Sequence, residues 1–167
     1  MKLIVAVSKN WGIGKDNKLL FSLKEDMKFF KSTTLNKVVV MGGNTYMSLP
    51  KRPLKDRVNI VLTRALLDDC ICVSNMDELF ELIEQFNSDD IYVIGGASMY
   101  RQLLPYCDTA LITKVDAEAD ADAFFDNLDI KPEWELVNAI KAQDTYPITF
   151  CEYKNKNVME YNYEDRG

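Results

Sequence analysis

The 167-residue sequence predicts an α/β fold with a mostly parallel central sheet, flanking helices and a C-terminal antiparallel hairpin. Three observations predict it. Short β-branched apolar runs recur along the chain, helical periodicities separate them, and two diglycines stand where such a run gives way to a helical pattern. Strands buried on both faces read as unbroken apolar runs, and their alternation with helices implies parallel pairing through helical crossovers.

The apolar runs at residues 3–7, 38–41, 59–62, 91–94 and 110–113 are the expected strands. Helical patterns fall between most of them, at 23–34, 45–49, 76–85 and 98–104. Beyond an acidic stretch at 116–129, runs at 134–142 and 149–153 flank the turn-like segment 143–147, which suggests a hairpin closing the sheet edge. One domain over residues 1–155 suits the length, with a polar tail at 156–167 expected to fray.

Lys and Arg number 20 against 26 Asp and Glu, a net charge of −6, so no basic field draws the chain to nucleic acid or anionic lipid. Small-molecule partners are expected. No apolar run approaches a membrane span, and residues 1–7 turn polar too soon for a signal peptide, so the expected location is cytoplasmic. Cys70, Cys72, Cys107 and Cys151 follow no metal-ligand spacing, and no metal is expected. Histidine is absent, which excludes Ser-His-Asp and Cys-His nucleophilic schemes and leaves proton chemistry to carboxylate, Tyr, Lys, Cys or water.

Asp26 is the residue of most chemical interest. On a helical projection Leu23, Met27 and Phe30 share a face with Phe29 beside it, and Asp26 projects between the two phenylalanines. A carboxylate facing a core is costly unless paired or protonated, and desolvation raises its pKa. Either a hydrogen bond ties it off for structural reasons, or it serves proton transfer; the helix alone leaves both open.

The diglycines Gly42-Gly43 and Gly95-Gly96 each follow a strand and precede a helix, running on into Asn44-Thr45 and Ala97-Ser98. Ligands of open α/β sheets bind at strand carboxyl ends, where glycine lets backbone amides approach an anionic phosphate. Neither junction has the P-loop pattern or the G-x-G-x-x-G fingerprint. A third strand ends at Thr63-Arg64, where a guanidinium suits phosphate, and Arg57 precedes that strand as a candidate carboxylate anchor; a solvated or ion-paired surface Arg is the alternative for each. Residues 9–22 form a long connection holding Gly12-Ile13-Gly14 and Leu19-Leu20, which suggests a hinged flap that closes over a ligand.

With these pieces in order the chain resembles dihydrofolate reductase from Leu3 to about Tyr153. The resemblance rests on residues 4–7, the flap with Gly12-Ile13-Gly14 and Asn17, Asp26 with Phe30-Lys31, residues 34–37, Met41-Gly42, Thr45, Arg52-Pro53-Leu54, Arg57-Val58-Asn59, Ile94-Gly95-Gly96, Tyr100, and Thr113 followed by Asp116-Ala117-Glu118. It implies hydride transfer from NADPH to the carbon beside the imine nitrogen of dihydrofolate, with that nitrogen protonated. Asp26 then matches the ionisable group that binds the pterin, with Thr113 in its hydrogen-bond network and Leu19 and Phe21 beside the reacting ring.

By the same resemblance Val5, Ala6, Leu19, Phe30, Leu49, Leu54 and Ile94 line the pterin and aminobenzoyl pocket, and Arg57 holds the glutamate carboxylate. The cofactor groove would comprise Gly42, Gly43, Asn44, Thr45, Leu62, Thr63, Arg64, Gly95, Gly96, Ala97, Ser98, Met99 and Tyr100, with Ala6, Ile13 and Gly14 near the nicotinamide. Phe21 stands where the family usually has tryptophan, Leu20 replaces a proline, and Ala97 replaces a further glycine. Gly43 replaces a basic residue that commonly meets the cofactor's 2′-phosphate, which leaves Arg64 as the evident cation. Asp122, in the acidic run 119–122, is placed to accept flap backbone N–H groups, with a solvated loop as the alternative. The resemblance implies a monomer, with antifolate inhibitors among its small-molecule ligands. A related pyrimidine reductase of riboflavin biosynthesis and a non-catalytic nucleotide-binding module are the competing readings.

Overall fold

The computed structural model describes residues 1–163. Eight strands form the main sheet in the order β10-β11-β8-β1-β7-β4-β5-β6. They are β1 (Lys2–Val7), β4 (Val38–Gly42), β5 (Val58–Leu62), β6 (Ile71–Val73), β7 (Ile91–Gly95), β8 (Thr109–Val115), β10 (Trp134–Gln143) and β11 (Pro147–Asn155). The pairs from β8 through β6 are parallel, whereas β11 runs antiparallel to both β8 and β10, as expected of a closing hairpin. The edge strand β6 had no strong signal, being three residues long with Ile71 exposed.

Side chains alternate across the sheet and so build two layers. Leu3, Val5, Val7, Val38, Val40 and Ile60 face α3 (Met76–Ile83) and α4 (Ala97–Leu103), which contribute Leu79, Ile83, Met99 and Leu103. Val39, Met41 and Val61 face the other way, toward Tyr46 of α2 (Gly43–Ser48). On that same face α1 (Lys24–Thr34) enters through Leu23, which packs with Val115 and Ile148.

Sequence and structure differ in how α1 is rolled. Leu23 is 3% exposed, but Met27, expected in the same stripe, is 60% exposed. Phe29 lies 4.7 Å, ring centre to ring centre, from Phe150 of β11, and that contact centres the inward face on Asp26.

The connection at 9–22 is more regular than a loop. Here β2 (Gly12–Lys15) and β3 (Lys18–Leu19) form a hairpin, and β2 also pairs with β9 (Ala123–Phe124). Asp16 and Asn17 form its two-residue turn at φ 51° and 62°, the left-handed geometry tight hairpins need and that Asp and Asn tolerate. Asp122 ties this small sheet together: its N–H donates to the Gly14 carbonyl at 3.0 Å, and its carboxylate accepts the Asp16 N–H at 3.1 Å. The acidic run therefore anchors the flap.

The tail also departs from expectation. Tyr161 stacks on Phe80 of α3 at 4.0 Å and meets Tyr106 edge-on, its hydroxyl bonded to Asp77, while Tyr163 reaches Glu84 at 2.6 Å. Aromatic area held this way overcomes the fraying that a polar composition suggests. The expected fraying of residues 164–167 lies outside the described residues.

Candidate active site

Asp26 sits in the first turn of α1, half-buried, facing the middle of the sheet. Thr113 Oγ1 donates to its Oδ1 at 2.6 Å. Thr113 is 1% exposed on β8 and is the register partner of Ala6 on β1, so Ala6 and Thr113 present the same face to the helix. Burial raises the pKa of Asp26, the Thr113 hydrogen bond works against that, and the negative charge of Asp144 adds to it; the outcome is a carboxyl held above its ordinary range. Such a group carries a proton closer to neutrality than a solvated carboxylate does.

The glycine junctions meet beside it. Strands β7, β4 and β5 are neighbours, so Gly95, Gly42 and Leu62 end in one row. A side chain at Gly43 would press on Thr63 at 3.3 Å, one at Gly42 on Met99 at 3.3 Å, and one at Gly96 on the Thr45 hydroxyl at 3.1 Å. Gly95 takes φ +133°, a region L residues avoid. Without a Cβ at these positions the backbone of both junctions packs directly against Thr45, Thr63 and Met99, and the row of strand ends they form is a candidate trough for a ligand. Asn44, Arg64 and Ser98 stand exposed along its rim, Leu62 and Ala97 half-buried. Tyr100, buried on α4, donates its hydroxyl to the Ile4 carbonyl at 2.8 Å, which joins this trough to the strand carrying Ala6. Burial, with Asp26 nearby, pushes the Tyr100 phenol far above its normal range, so it remains a neutral donor.

Arg57 lies at the other end of α1. Its Nε donates to the Lys55 carbonyl at 2.9 Å and its Nη1 to Thr34 Oγ1 at 3.2 Å. Neither acceptor is charged, so the guanidinium is oriented without being neutralised by them. Leu49, Leu54 and Ile94 belong to one apolar cluster, brought together as the sequence predicts. Leu54 is held there by a two-way clasp, its N–H donating to Asn59 Oδ1 and its carbonyl accepting from Asn59 Nδ2, each at 2.9 Å.

Other expected residues are placed less directly. Val5, expected to line the pocket, instead turns its side chain into the α3–α4 core, because alternation along β1 gives the Asp26 face to Ala6. Leu19 is 85% exposed on β3, while Leu20 packs inward near Gly12. Phe21 rests edge-on against Tyr146 at 5.7 Å, and Phe30 is half-buried on the cleft side of α1. Ile13 is half-buried and Gly14 buried on β2.

Sequence reasoning missed Asp144, which lies 119 positions from Glu25 yet accepts its N–H at 2.6 Å. No local pattern could reveal a contact at that separation.

A family model described as dihydrofolate reductase matches residues 1–155. The chain belongs to the dihydrofolate reductase family. Among its relatives, the dihydrofolate reductase of Buchnera aphidicola is 33% identical, covering 98% of this chain and 94% of its own length. That of Bacillus subtilis is 33% identical over 94% and 95% of the two chains. The Haemophilus influenzae enzyme is 38% identical over 80% and 82%. A solved structure of dihydrofolate reductase from Enterococcus faecalis, complexed with NADP(H) and RAB-propyl, superposes with a TM-score of 0.83 at 27% identity, covering 92% of this chain and 95% of that one. As in other dihydrofolate reductases the chain is an oxidoreductase, and among the described residues no helix is long and apolar enough to cross a membrane.

Proposed function

We propose that the chain reduces 7,8-dihydrofolate to tetrahydrofolate with NADPH, with Asp26 as the acidic group of the site. The observation that carries this reading is the Asp26–Thr113 hydrogen bond, on the sheet face adjoining a glycine-walled trough. The trough fits a dinucleotide: at Gly42, Gly43 and Gly96 a Cβ would crowd the walls, and backbone amides can approach a pyrophosphate there. Thr45, Thr63, Ser98 and the two diglycines would hold the cofactor's phosphates, with Arg64 beside the 2′-phosphate and Ala6, Ile13 and Gly14 near the nicotinamide. When bound, NADPH supplies the hydride.

The protein's own residues do the rest. Thr113 occupies Oδ1 of Asp26 and leaves Oδ2 to accept hydrogen bonds from the pterin amino group and ring nitrogen. A carboxylate at that place raises the proton affinity of the imine nitrogen, and water delivers the proton. Phe30, Leu49, Leu54 and Ile94 supply an apolar wall that excludes water, while Arg57 takes the substrate's glutamate carboxylate in a charge-assisted pair. The flap, with Leu19 and Phe21, closes over the ring, and positioning in a dry pocket provides much of the rate. The protein works as a cytoplasmic monomer, and its net charge of −6 supports a reading without nucleic acid.

The test is loss of NADPH absorbance on adding dihydrofolate to the purified protein. Cofactor bound but never oxidised in the presence of that substrate would return the non-catalytic module to contention, and turnover only with a ribosylated pyrimidine would favour the riboflavin-pathway reductase.

A further inference from the structure

The helix that carries Asp26 begins without a cap of its own. Leu23 occupies the N-cap position, where its carbonyl accepts the Met27 N–H at 2.8 Å, but leucine has no side-chain oxygen for the first-turn amides. Those amides are met from elsewhere in the fold. Asp144, in the turn between β10 and β11, presents its carboxylate to the first turn of α1, where Oδ2 accepts the Glu25 N–H at 2.6 Å. Its other oxygen accepts the Thr145 N–H at 2.8 Å, and its own N–H donates to the Tyr146 carbonyl at 3.1 Å, so the turn holds the carboxylate in place.

The same hairpin touches the site at two further points. Phe150 of β11 packs against Phe29 of α1 with the rings tilted by 43°, and Tyr146 meets Phe21 of the flap edge-on. Moreover β11 pairs with β8 along its length, with Phe150 opposite Thr113. Both groups that place Asp26 thus hang from one body: Thr113 on β8 holds its carboxylate, and Asp144 on the adjoining hairpin holds the start of its helix.

We propose that Asp144 is a positioning residue for the reduction, capping the Asp26 helix from across the fold so that helix, hairpin and Thr113 keep one geometry through turnover. The inference rests on the dihydrofolate reductase reading for its kinetic consequence, while the cap itself can be tested without any activity. Desolvation opposes the Asp144 charge, but N–H donors from Thr145, Glu25, Lys24 and Asp26 outweigh it and hold the carboxyl below the usual range, so it is anionic whenever the enzyme works. That anion is also the charged group that adds to the raised proton affinity of Asp26. Among the described residues the other groups that act on Asp26 are uncharged: Thr113 on β8 donates to it, and the buried phenol of Tyr100 on α4, which feels its charge through the sheet, stays neutral. On its own helix Glu25 and Lys28 pair with each other at 3.5 Å on the solvent side.

Two substitutions separate the roles. Asp144→Ala removes the acceptor and the charge, whereas Asp144→Asn keeps an acceptor for the Glu25 N–H and removes only the charge. Asp144→Ala is expected to slow hydride transfer in single turnovers by about ten- to a hundredfold, since misplacing a reacting group by about 1 Å can cost about a hundredfold, with a much smaller change in KM. Asp144→Asn is expected to recover most of the rate while shifting the pH dependence of hydride transfer to lower pH. Amide exchange at Glu25, followed by NMR, should quicken in Asp144→Ala and be restored in Asp144→Asn.

Unchanged exchange in Asp144→Ala overturns the cap, whatever the activity. Faster exchange with an unaltered rate overturns the positioning role. Should Asp144→Ala not fold, Asp144→Asn decides alone, and an unshifted pH profile then overturns the coupling to Asp26. A parent protein that does not oxidise NADPH with dihydrofolate fails the functional reading instead and leaves the exchange result standing.

Discussion

Thr113 and Asp26, 87 positions apart, are joined by a 2.6 Å hydrogen bond in which the threonine hydroxyl donates to Oδ1. The bond fixes which carboxylate oxygen faces the cleft, and it opposes the rise in pKa that burial produces. Desolvation prevails over it, so Asp26 is a more basic carboxylate than one in water.

Replacing Asp26 with Asn removes the charge that draws a proton to the substrate. Acid assistance of this kind is worth about 10²- to 10⁴-fold, so Asp26→Asn should lower hydride transfer near neutral pH by at least about a hundredfold. The deficit should shrink at low pH, where dihydrofolate arrives protonated. Stopped-flow rates across pH check it, and a loss of equal size at every pH counts against the role.

The same substitution should raise stability. Because the folded pKa of Asp26 lies above its unfolded value, the native state holds the extra proton between the two, and stability falls as pH rises through that window. Above it the full penalty of the buried charge remains. Asp26→Asn is therefore expected to melt higher than the parent at neutral pH, with the gap closing as pH drops below the unfolded carboxylate range. Thermal unfolding at several pH values measures this, and a less stable variant at neutral pH would mean that the Thr113 bond outweighs desolvation.

Arg64 is the cation after β5, beside the Gly43–Thr63 contact. A guanidinium bonded to phosphate is worth about 1.5–3 kcal/mol, so Arg64→Ala should reduce the NADPH over NADH preference in kcat/KM by about tenfold or more. An unaltered ratio excludes Arg64 as the discriminator.

Tyr161 ties the tail to α3 through Phe80 and Asp77. Loss of a stacked ring and its hydroxyl contact should cost about 2 kcal/mol, so Tyr161→Ala is expected to lower the urea midpoint while leaving kcat unchanged. An unmoved midpoint would show that the stack contributes nothing.

How far the sequence could be read follows from the range of each interaction. The parallel strands were legible because burial on both faces demands unbroken runs such as Val38-Val39-Val40-Met41, and the glycine trough was legible because strand ends of a parallel sheet converge in one row. Asp26 was conspicuous as a carboxylate among Leu23, Phe29 and Phe30. The roll of α1 was not legible, since the ring that orients it, Phe150, comes from the far end of the chain. Nor was the β2–β3 hairpin, whose Asp16-Asn17 turn lacks the glycine that usually marks such a turn, or the docked tail, where polar composition concealed two useful aromatics.

By itself the sequence determined the layer order and the family and singled out Asp26 as a carboxylate on an apolar face, because periodicity and local spacing are properties of neighbours along the chain. Only the tertiary structure decided how those residues are held: which oxygen of Asp26 is taken by Thr113, which carboxylate closes its helix, and which acid anchors the flap. Each of these is a single hydrogen bond between segments distant in sequence, specified by the packing of whole elements, and no local pattern encodes it.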